Sequence, residues 1–420
     1  MNRSAPASAA SRPGRFPGLP EDGSSEAVVG QAVAALAAED EAVLASVRFG
    51  RRFYPGADVA RVAAQAYGAF AQAGRASLYP GLPSPQSVAT MTRDLISASL
   101  ALFGAPADGI AIPTSGGTES AILVARAALR RTRSRRSGAS DGPAEVIAPW
   151  SAHPCIDKAA ELLGFKLIRT PLGADLTADL AAMAAAITPR TAMLYASFPS
   201  YPFGLPDDVA ALSDLAVEHD LWLHVDASMG GYLAPFLRLN GEAVPDFDFA
   251  LPGVSSIAAD LHKHGYGAKG VAMLLVRSPA CAPDLDFTFA DFPLPPMKTS
   301  TLAGTAAGAP LAAAWAVFQY LGVKGYCALA ARLSASRRAF VEAIGSVPGF
   351  CVLGEPLFSI VSFATERGEA HDLVDALIAR DWFVLPTHGP AGVQMNLSLT
   401  DGDLAPRLAE DLRAWAERLS

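Results

Sequence analysis

Short apolar runs that suit strands alternate with helix-like segments across the middle of the chain, from about residue 109 to residue 276. The runs at residues 191–196 and 221–226, for example, flank an amphipathic stretch at residues 207–219. Parallel strands need long crossover connections, which are usually helices. The alternation therefore predicts an α/β fold with a large, mostly parallel sheet that helices cover on both faces.

The pattern changes after residue 304, which suggests a second unit. A long helical segment from residue 309 leads to a smaller set of strands near residues 351, 360, 383 and 395. A chain of 420 residues is long enough for a large and a small domain. We predict a disordered lead-in at 1–26, an N-terminal helical segment at 27–84, a large domain at 85–308, and a smaller C-terminal α/β domain at 309–420.

Charge and composition exclude several classes of protein. The formal net charge of −8 argues against a nucleic-acid surface, and we interpret the arginine-rich run at 130–136 as a solvated loop. No stretch approaches the roughly 20 apolar residues of a membrane span. The four cysteines are scattered, with neither a metal-binding spacing nor a disulfide framework. These features predict a cytoplasmic protein without a metal site.

The first candidate functional feature is the sequence Thr-Ser-Gly-Gly-Thr-Glu-Ser at residues 114–120, between a predicted strand and a predicted helix. Small residues such as Gly116 and Gly117 let backbone N–H groups approach a phosphate, and a helix N-terminus adds partial positive charge. A tight turn with a Ser or Thr cap explains this motif about as well.

Two further features lie later in the chain. Asp226 ends an apolar run, where open α/β sheets bind ligands, although for this residue alone a helix cap or a buried structural ion pair is the slightly better explanation. Lys263 lies between His262 and His264, just before a glycine-rich turn. A partly buried lysine can form a Schiff base, whereas most lysines are simply exposed on the surface.

Together the features fit a site for pyridoxal 5'-phosphate (PLP). Such a site needs an anchor for the phosphate, an Asp beside the pyridine nitrogen and a Lys that binds the aldehyde. His153 follows another predicted strand and could stack on the ring.

At this point the sequence resembles the group II PLP-dependent decarboxylase and sphingosine-1-phosphate lyase branch of the fold-type I enzymes, over about residues 50 to 330. The likeness rests on four segments: residues 114–120, Ser-Ala-His-Pro-Cys-Ile-Asp-Lys-Ala-Ala at 151–160, His-Val-Asp-Ala-Ser-Met-Gly-Gly-Tyr-Leu-Ala-Pro-Phe at 224–236, and Asp-Leu-His-Lys-His-Gly-Tyr-Gly-Ala-Lys-Gly at 260–270.

The resemblance implies a role for each matching position. It implies that the catalytic residues are Lys263, His153, Asp226, Lys269 and Tyr54. The cofactor would be held by Gly116, Gly117, Thr118, His153, Asp226, His262 and Lys263. A packing role for Tyr54, and a solvated loop position for Lys269, remain the alternatives.

The sequence also departs from the lyases. It lacks their Asn and His-Pro near residues 74–81, and it reads Gly-Thr-Ala-Ala-Gly at 304–308 where they carry an arginine. These losses weaken the expectation of a phosphorylated long-chain base as substrate, although Arg75 could replace an anionic contact.

The predicted function is a PLP-dependent carbon–carbon lyase that acts at Cα of a small amine or amino-acid substrate, by retro-aldol cleavage with release of an aldehyde. The first alternative is an amino-acid decarboxylase. A carbon–sulfur lyase (β-eliminase) and a non-catalytic PLP-fold binding protein follow. The resemblance also implies a homodimer with shared active sites, in which residues 299–304 reach the partner's cofactor.

Overall fold

The computed structural model describes residues 22–49, 52–74, 86–135, 142–304, 306–366, 368–399 and 404–419. The predicted disordered lead-in therefore lies outside the described residues up to residue 21, as do Arg75 and most of the 74–83 loop. Helix α1 begins at Glu26, where Ser25 accepts a hydrogen bond from the backbone N–H of Val28.

The first nine α-helices and the first seven strands precede a short hairpin. In chain order they are α1 (Glu26–Ser46), α2 (Ala57–Ala69), α3 (Gln86–Leu102), β1 (Ile110–Thr114), α4 (Gly117–Arg135), β2 (Glu145–Pro149), α5 (Cys155–Leu163), β3 (Lys166–Thr170), α6 (Leu180–Ala185), β4 (Thr191–Ser197), α7 (Val209–Glu218), β5 (Trp222–Asp226), α8 (Ala234–Leu239), β6 (Val254–Ala259), β7 (Ala272–Val276) and α9 (Ala282–Leu285). A short hairpin of β8 (Phe287–Phe289) and β9 (Met297–Thr299) follows.

The seven-stranded sheet has the order β1-β7-β6-β5-β4-β2-β3. Strand β7 is antiparallel to both of its neighbours, and the other described strands run parallel to one another. Strands β2 and β4 are buried along their whole length, as expected where helices cover both faces. The mostly parallel sheet predicted from the alternation is confirmed.

The remaining elements form the C-terminal unit. They are α10 (Ala309–Gly345), β10 (Phe350–Val352), β11 (Ile360–Thr365), α11 (Ala370–Ile378), β12 (Val384–Thr387), β13 (Gly392–Asn396) and α12 (Ala405–Glu417). The four strands form an antiparallel sheet in the order β10-β11-β13-β12. Helix α10 is interrupted at Gly322, whose φ of 54° lies in the left-handed region that glycine adopts without strain.

Two expectations at the level of single elements are wrong. Helix α4 continues to Arg135, so the arginine-rich run is mostly helical rather than a loop; Arg130 donates to the carbonyl of Asp286, 2.8 Å away, and Arg131 pairs with Asp220. The sequence pattern also predicts a helix over residues 176–187, and α6 is shorter than this prediction. Asp179 caps its N-terminus by accepting from the N–H of Ala182.

One buried apolar cluster runs from the large sheet through α10 to the small sheet, so the two units share a core. None of the helices in the described ranges combines the length and the apolarity that crossing a bilayer requires.

Candidate active site

The carboxyl ends of the parallel strands meet at one edge of the large sheet, where open α/β sheets bind ligands. A cavity of about 490 Å³ lies at this edge. The residues that line it follow β1, β2, β4, β5 and β6. They include Ser115, Gly116, Gly117, Thr118, His153, Ser197, Asp226, His262 and Lys263. The structure thus brings together seven of the nine site residues predicted from the sequence.

The glycine-rich turn after β1 leads directly into α4, which begins at Gly117 rather than at Ser120 as the pattern suggested. A Cβ atom on Gly117 would lie 2.5 Å from Ser228 Oγ, so a side chain there would fill the space in front of the helix N-terminus. The first N–H groups of a helix lack intrahelical partners and attract anions. The turn therefore fits the phosphate group of PLP.

The carboxylate of Asp226 is the most strongly supported group in the cavity. Ser228 donates to Oδ1 through its backbone N–H (3.1 Å) and its hydroxyl (2.5 Å). Tyr195 Oη donates to Oδ2 at 2.6 Å. Burial raises the pKa of Asp226, but these hydrogen bonds and the nearby Lys263 outweigh it and hold the pKa below its usual value. An ionised carboxylate here fits a protonated pyridine nitrogen.

Lys263 lies in the turn after β6 with its Nζ 3.1 Å from Asp260 Oδ2. The other oxygen of this buried carboxylate, Oδ1, has no hydrogen-bond partner. His262, next to Lys263 in the chain, has its Nδ1 at 2.8 Å from the carbonyl oxygen of Val271. Because a carbonyl can only accept, Nδ1 is the donor of this hydrogen bond. Burial lowers the pKa of His262, so the imidazole is held mainly neutral.

His153 lies between β2 and α5, exposed at the cavity. Its Nδ1 accepts from the backbone N–H of Cys155 at 3.2 Å, and its ring edge faces Tyr201. An exposed imidazole fixed from one nitrogen fits the predicted role of stacking on a flat cofactor. We call the part of the lining built from residues after the strands of the large sheet the cradle wall (Gly116, Gly117, Asp226, Ser228, Asp260, His262 and Lys263).

Among the described residues, Tyr54 and Lys269 do not line the cavity. Arg52 and Phe53 line it in place of Tyr54. The ammonium of Lys269 lies 5.1 Å from the centre of the Phe53 ring. Burial and the charge of Lys263 lower the pKa of Lys269. The roles of both residues remain predictions.

Sequence reasoning missed a second part of the lining, which we call the cationic wall (Arg52, Phe53, Tyr201 and Asn396). It combines the segment before α2, the loop after β4 and the end of β13. These residues share no local motif. It also missed Tyr195, whose position on β4 beside β5 was the one available signal.

Comparisons with known proteins agree with this geometry. The family model described as the pyridoxal-dependent decarboxylase conserved domain matches residues 85–366. The chain is 29% identical over 354 residues to sphingosine-1-phosphate lyase 1 of Mus musculus, covering 83% of this chain and 61% of that protein. It is 35% identical over 305 residues to the L-aspartate decarboxylase of Thermococcus kodakarensis, covering 73% of this chain and 77% of that protein.

A solved structure shows the same likeness over nearly the whole fold. The sphingosine-1-phosphate lyase of Burkholderia pseudomallei has a TM-score of 0.89 and 28% identity, covering 96% of this chain and 94% of that one. The chain spans about 61% of the length of the mouse lyase. These matches confirm the resemblance, the fold-type I architecture and PLP as the cofactor.

Proposed function

Because the chain belongs to the pyridoxal-dependent decarboxylase family, we propose that it is a PLP-dependent carbon–carbon lyase acting at Cα of a small amine or amino acid. The observation that carries the proposal is the convergence of Lys263, Asp226 and the glycine turn on one cavity. Retro-aldol cleavage with release of an aldehyde is the first candidate reaction, supported by the likeness to lyases over most of the chain. Decarboxylation is the second, supported by the 35% identity to an aspartate decarboxylase.

The residues predicted to bind the cofactor would divide the work among them. Gly116, Gly117 and Thr118 would bind the phosphate through backbone N–H groups, and Asp226 would pair with the pyridine nitrogen. Lys263 would bind the aldehyde. The bound cofactor supplies an electron-withdrawing ring, which lowers the barrier to breaking a bond at Cα of the substrate.

The protein would also move protons. Lys269 is suited to this because burial and Lys263 lower its pKa, so a larger fraction is neutral than for a free lysine. His262 cannot accept a proton at Nδ1, which already donates to Val271, so only its Nε2 is available. Asp260 holds Lys263 at 3.1 Å and would fix the direction of its amine.

The proposal includes a homodimer with shared active sites in the cytoplasm. Helix α1 supports it, because all 21 of its residues are exposed, among them Val28, Val29, Val33 and Leu36. An apolar helix that is exposed along its whole length within the described part of the chain is suited to pack against a second copy. The four cysteines are free thiols, which is consistent with a reducing compartment. A Val33→Glu/Leu36→Glu variant should sediment as a monomer with reduced activity, and an unchanged dimer would contradict this role of α1.

The reaction is tested by incubating the PLP-loaded protein with a panel of amines and amino acids, and scoring aldehyde against carbon dioxide by mass spectrometry. Lys263→Ala should lose the visible cofactor band and all product. Lys263→Arg is a matched control, since it keeps a cation beside Asp260 but cannot bind the aldehyde. Lys263→Arg should fold like the wild type and be as inactive as Lys263→Ala. Absence of a visible band in PLP-supplemented wild type would contradict the proposal.

A further inference from the structure

The amide of Asn396 is the most unusual polar group in the cavity. The residue is 4% exposed and ends β13, yet neither Nδ2 nor Oδ1 has a hydrogen-bond partner in the part of the chain that the structure describes. Gln394, two residues earlier on the same face of the strand, is satisfied, because its Nε2 donates to the carbonyl of Tyr201 at 2.7 Å. Leaving a buried amide without partners destabilises a protein. Since Asn396 lines the cavity, a ligand there would supply the missing partners.

Arg52 brings a positive charge to the same wall. Its Nη1 lies 3.4 Å from Tyr201 Oη, and its guanidinium lies 4.2 Å from the centre of the Phe383 ring. Within the described part of the chain, no carboxylate lies within ion-pair distance of this guanidinium. Because Tyr201 contacts both Arg52 and the strand that carries Asn396, the two side chains belong to one patch.

The backbone next to Arg52 is strained. Phe53 has a φ of 59°, an uncommon value for a bulky residue that persists only where the surroundings impose it. Its ring packs edge-on against His264 and lies beneath the ammonium of Lys269. This conformation places Arg52 and Phe53 together in the cavity lining, so the charge of Arg52 is held there by the fold rather than by a partner.

We propose that Arg52 and Asn396 bind an anionic oxygen group, a carboxylate or a phosphate, on the substrate. The guanidinium and Asn396 Nδ2 would donate to that group, and Asn396 Oδ1 would accept from a substrate N–H or O–H. The substrate is then a small polar amine that bears an acidic group. This inference rests on the proposed function, since it assigns the substrate class of the same site.

Two anions without an amine test the subsite directly. The PLP-loaded protein, in which the cofactor already fills the glycine turn, is titrated with succinate and with inorganic phosphate by calorimetry. We expect wild type to bind one of them. Binding of succinate identifies a carboxylate, and binding of phosphate identifies a phosphoryl group. Arg52→Gln should weaken that binding about 10- to 100-fold, because hydrogen bonds to charged groups are the strong ones.

Matched variants separate the subsite from general charge effects. Arg61→Gln removes the same charge from an exposed position on α2 and should change the affinity less than twofold. Asn396→Asp keeps the shape but replaces a donor with a negative charge, so it should weaken binding more than Asn396→Ser. Thermal melting and the visible cofactor band identify any variant that fails to fold. Asn396→Ser then serves as the test if Asn396→Asp is unstable.

Equal affinity in wild type and Arg52→Gln, or no binding of either anion to wild type, would overturn the proposal. This experiment needs no turnover, so its failure is distinct from that of the proposed reaction, which the Lys263→Ala band tests. Where a substrate is turned over, Arg52→Gln should raise KM for amines with an acidic group more than it raises KM for neutral amines.

Discussion

The two walls of the cavity differ in how their polar groups are satisfied. In the cradle wall, both oxygens of Asp226 accept hydrogen bonds from Ser228 and Tyr195, and His262 is fixed by the carbonyl of Val271. Its one exception is Asp260, whose Oδ1 has no hydrogen-bond partner among the described residues. In the cationic wall, the side-chain amide of Asn396 has no hydrogen-bond partner among the described residues. A wall whose groups already support one another suits a cofactor that stays in place. A wall with open donors and acceptors suits a substrate that comes and goes.

The largest effect should come from Asp226→Asn, which keeps the shape of the side chain and removes its charge. The cradle wall holds this carboxylate ionised, so an amide there should lower the rate about 10²–10³-fold, as loss of a preorganised electrostatic contact does elsewhere. The measurement is kcat for the best substrate found by the product screen. If kcat falls less than tenfold, the support of Asp226 by Ser228 and Tyr195 has no catalytic purpose.

Gly117→Ala tests the space in front of the helix N-terminus. The added Cβ would lie 2.5 Å from Ser228 Oγ, and overpacking of this kind costs about 1–3 kcal/mol. We expect a lower affinity for PLP, measured by titrating the apoprotein and following the visible band. Gly68→Ala on α2, where a Cβ meets nothing within 4 Å, is the matched control and should bind PLP as the wild type does.

The two walls also differ in what the sequence reveals. The residues of the cradle wall follow strands in short motifs, and the carboxyl ends of parallel strands meet at one edge. Their meeting point is therefore predictable from order and spacing alone. The fold is predictable from order and spacing as well, because apolar runs such as β4 and β5 alternate with helical segments.

The cationic wall could not be predicted in this way. Arg52 and Asn396 are separated by most of the chain and meet only because the small sheet packs over the edge of the large one. In the sequence, an exposed position in a short loop is the ordinary expectation for an arginine such as Arg52. Tyr195 was not predicted for a related reason: it lies inside an apolar strand, where packing explains an aromatic residue equally well.

Tyr195→Phe tests one of the hydrogen bonds to Asp226 and should lower the activity less than Asp226→Asn does. Burial and the nearby Asp226 keep the pKa of Tyr195 well above its usual value, so the hydroxyl remains a donor. Hydrogen bonds to charged groups contribute about 1.5–3 kcal/mol, so the activity should fall at least about tenfold. Because Ser228 still donates to Oδ1, the loss should be smaller than for Asp226→Asn. An equal loss would mean that Tyr195 alone keeps Asp226 ionised.

The smallest effect concerns stability at mildly acidic pH. Each wall is backed by a fully buried histidine: His224 beside Tyr195, and His264 behind Phe53. Burial lowers the pKa of His224 from 6.5 to about 4, and burial with the charge of Lys263 lowers that of His264 from 6.5 to about 3. Below pH 6.5 the unfolded chain therefore binds protons that the folded protein does not. The stability that each histidine contributes is complete above pH 6.5 and is lost as the pH falls.

Variants that replace one histidine at a time separate the contributions of the two histidines to the pH dependence of stability. Each should add up to about 1.4 kcal/mol per pH unit to the slope of unfolding free energy against pH. Asp207 acts in the opposite direction, because burial raises its pKa to about 6, so the wild-type slope is a sum. The informative quantity is the difference between wild type and His264→Gln in denaturant unfolding from pH 7 to pH 5. Asp207 contributes equally to both, so the variant should show the shallower slope. Identical slopes would mean that His264 is not shielded from solvent behind the cationic wall.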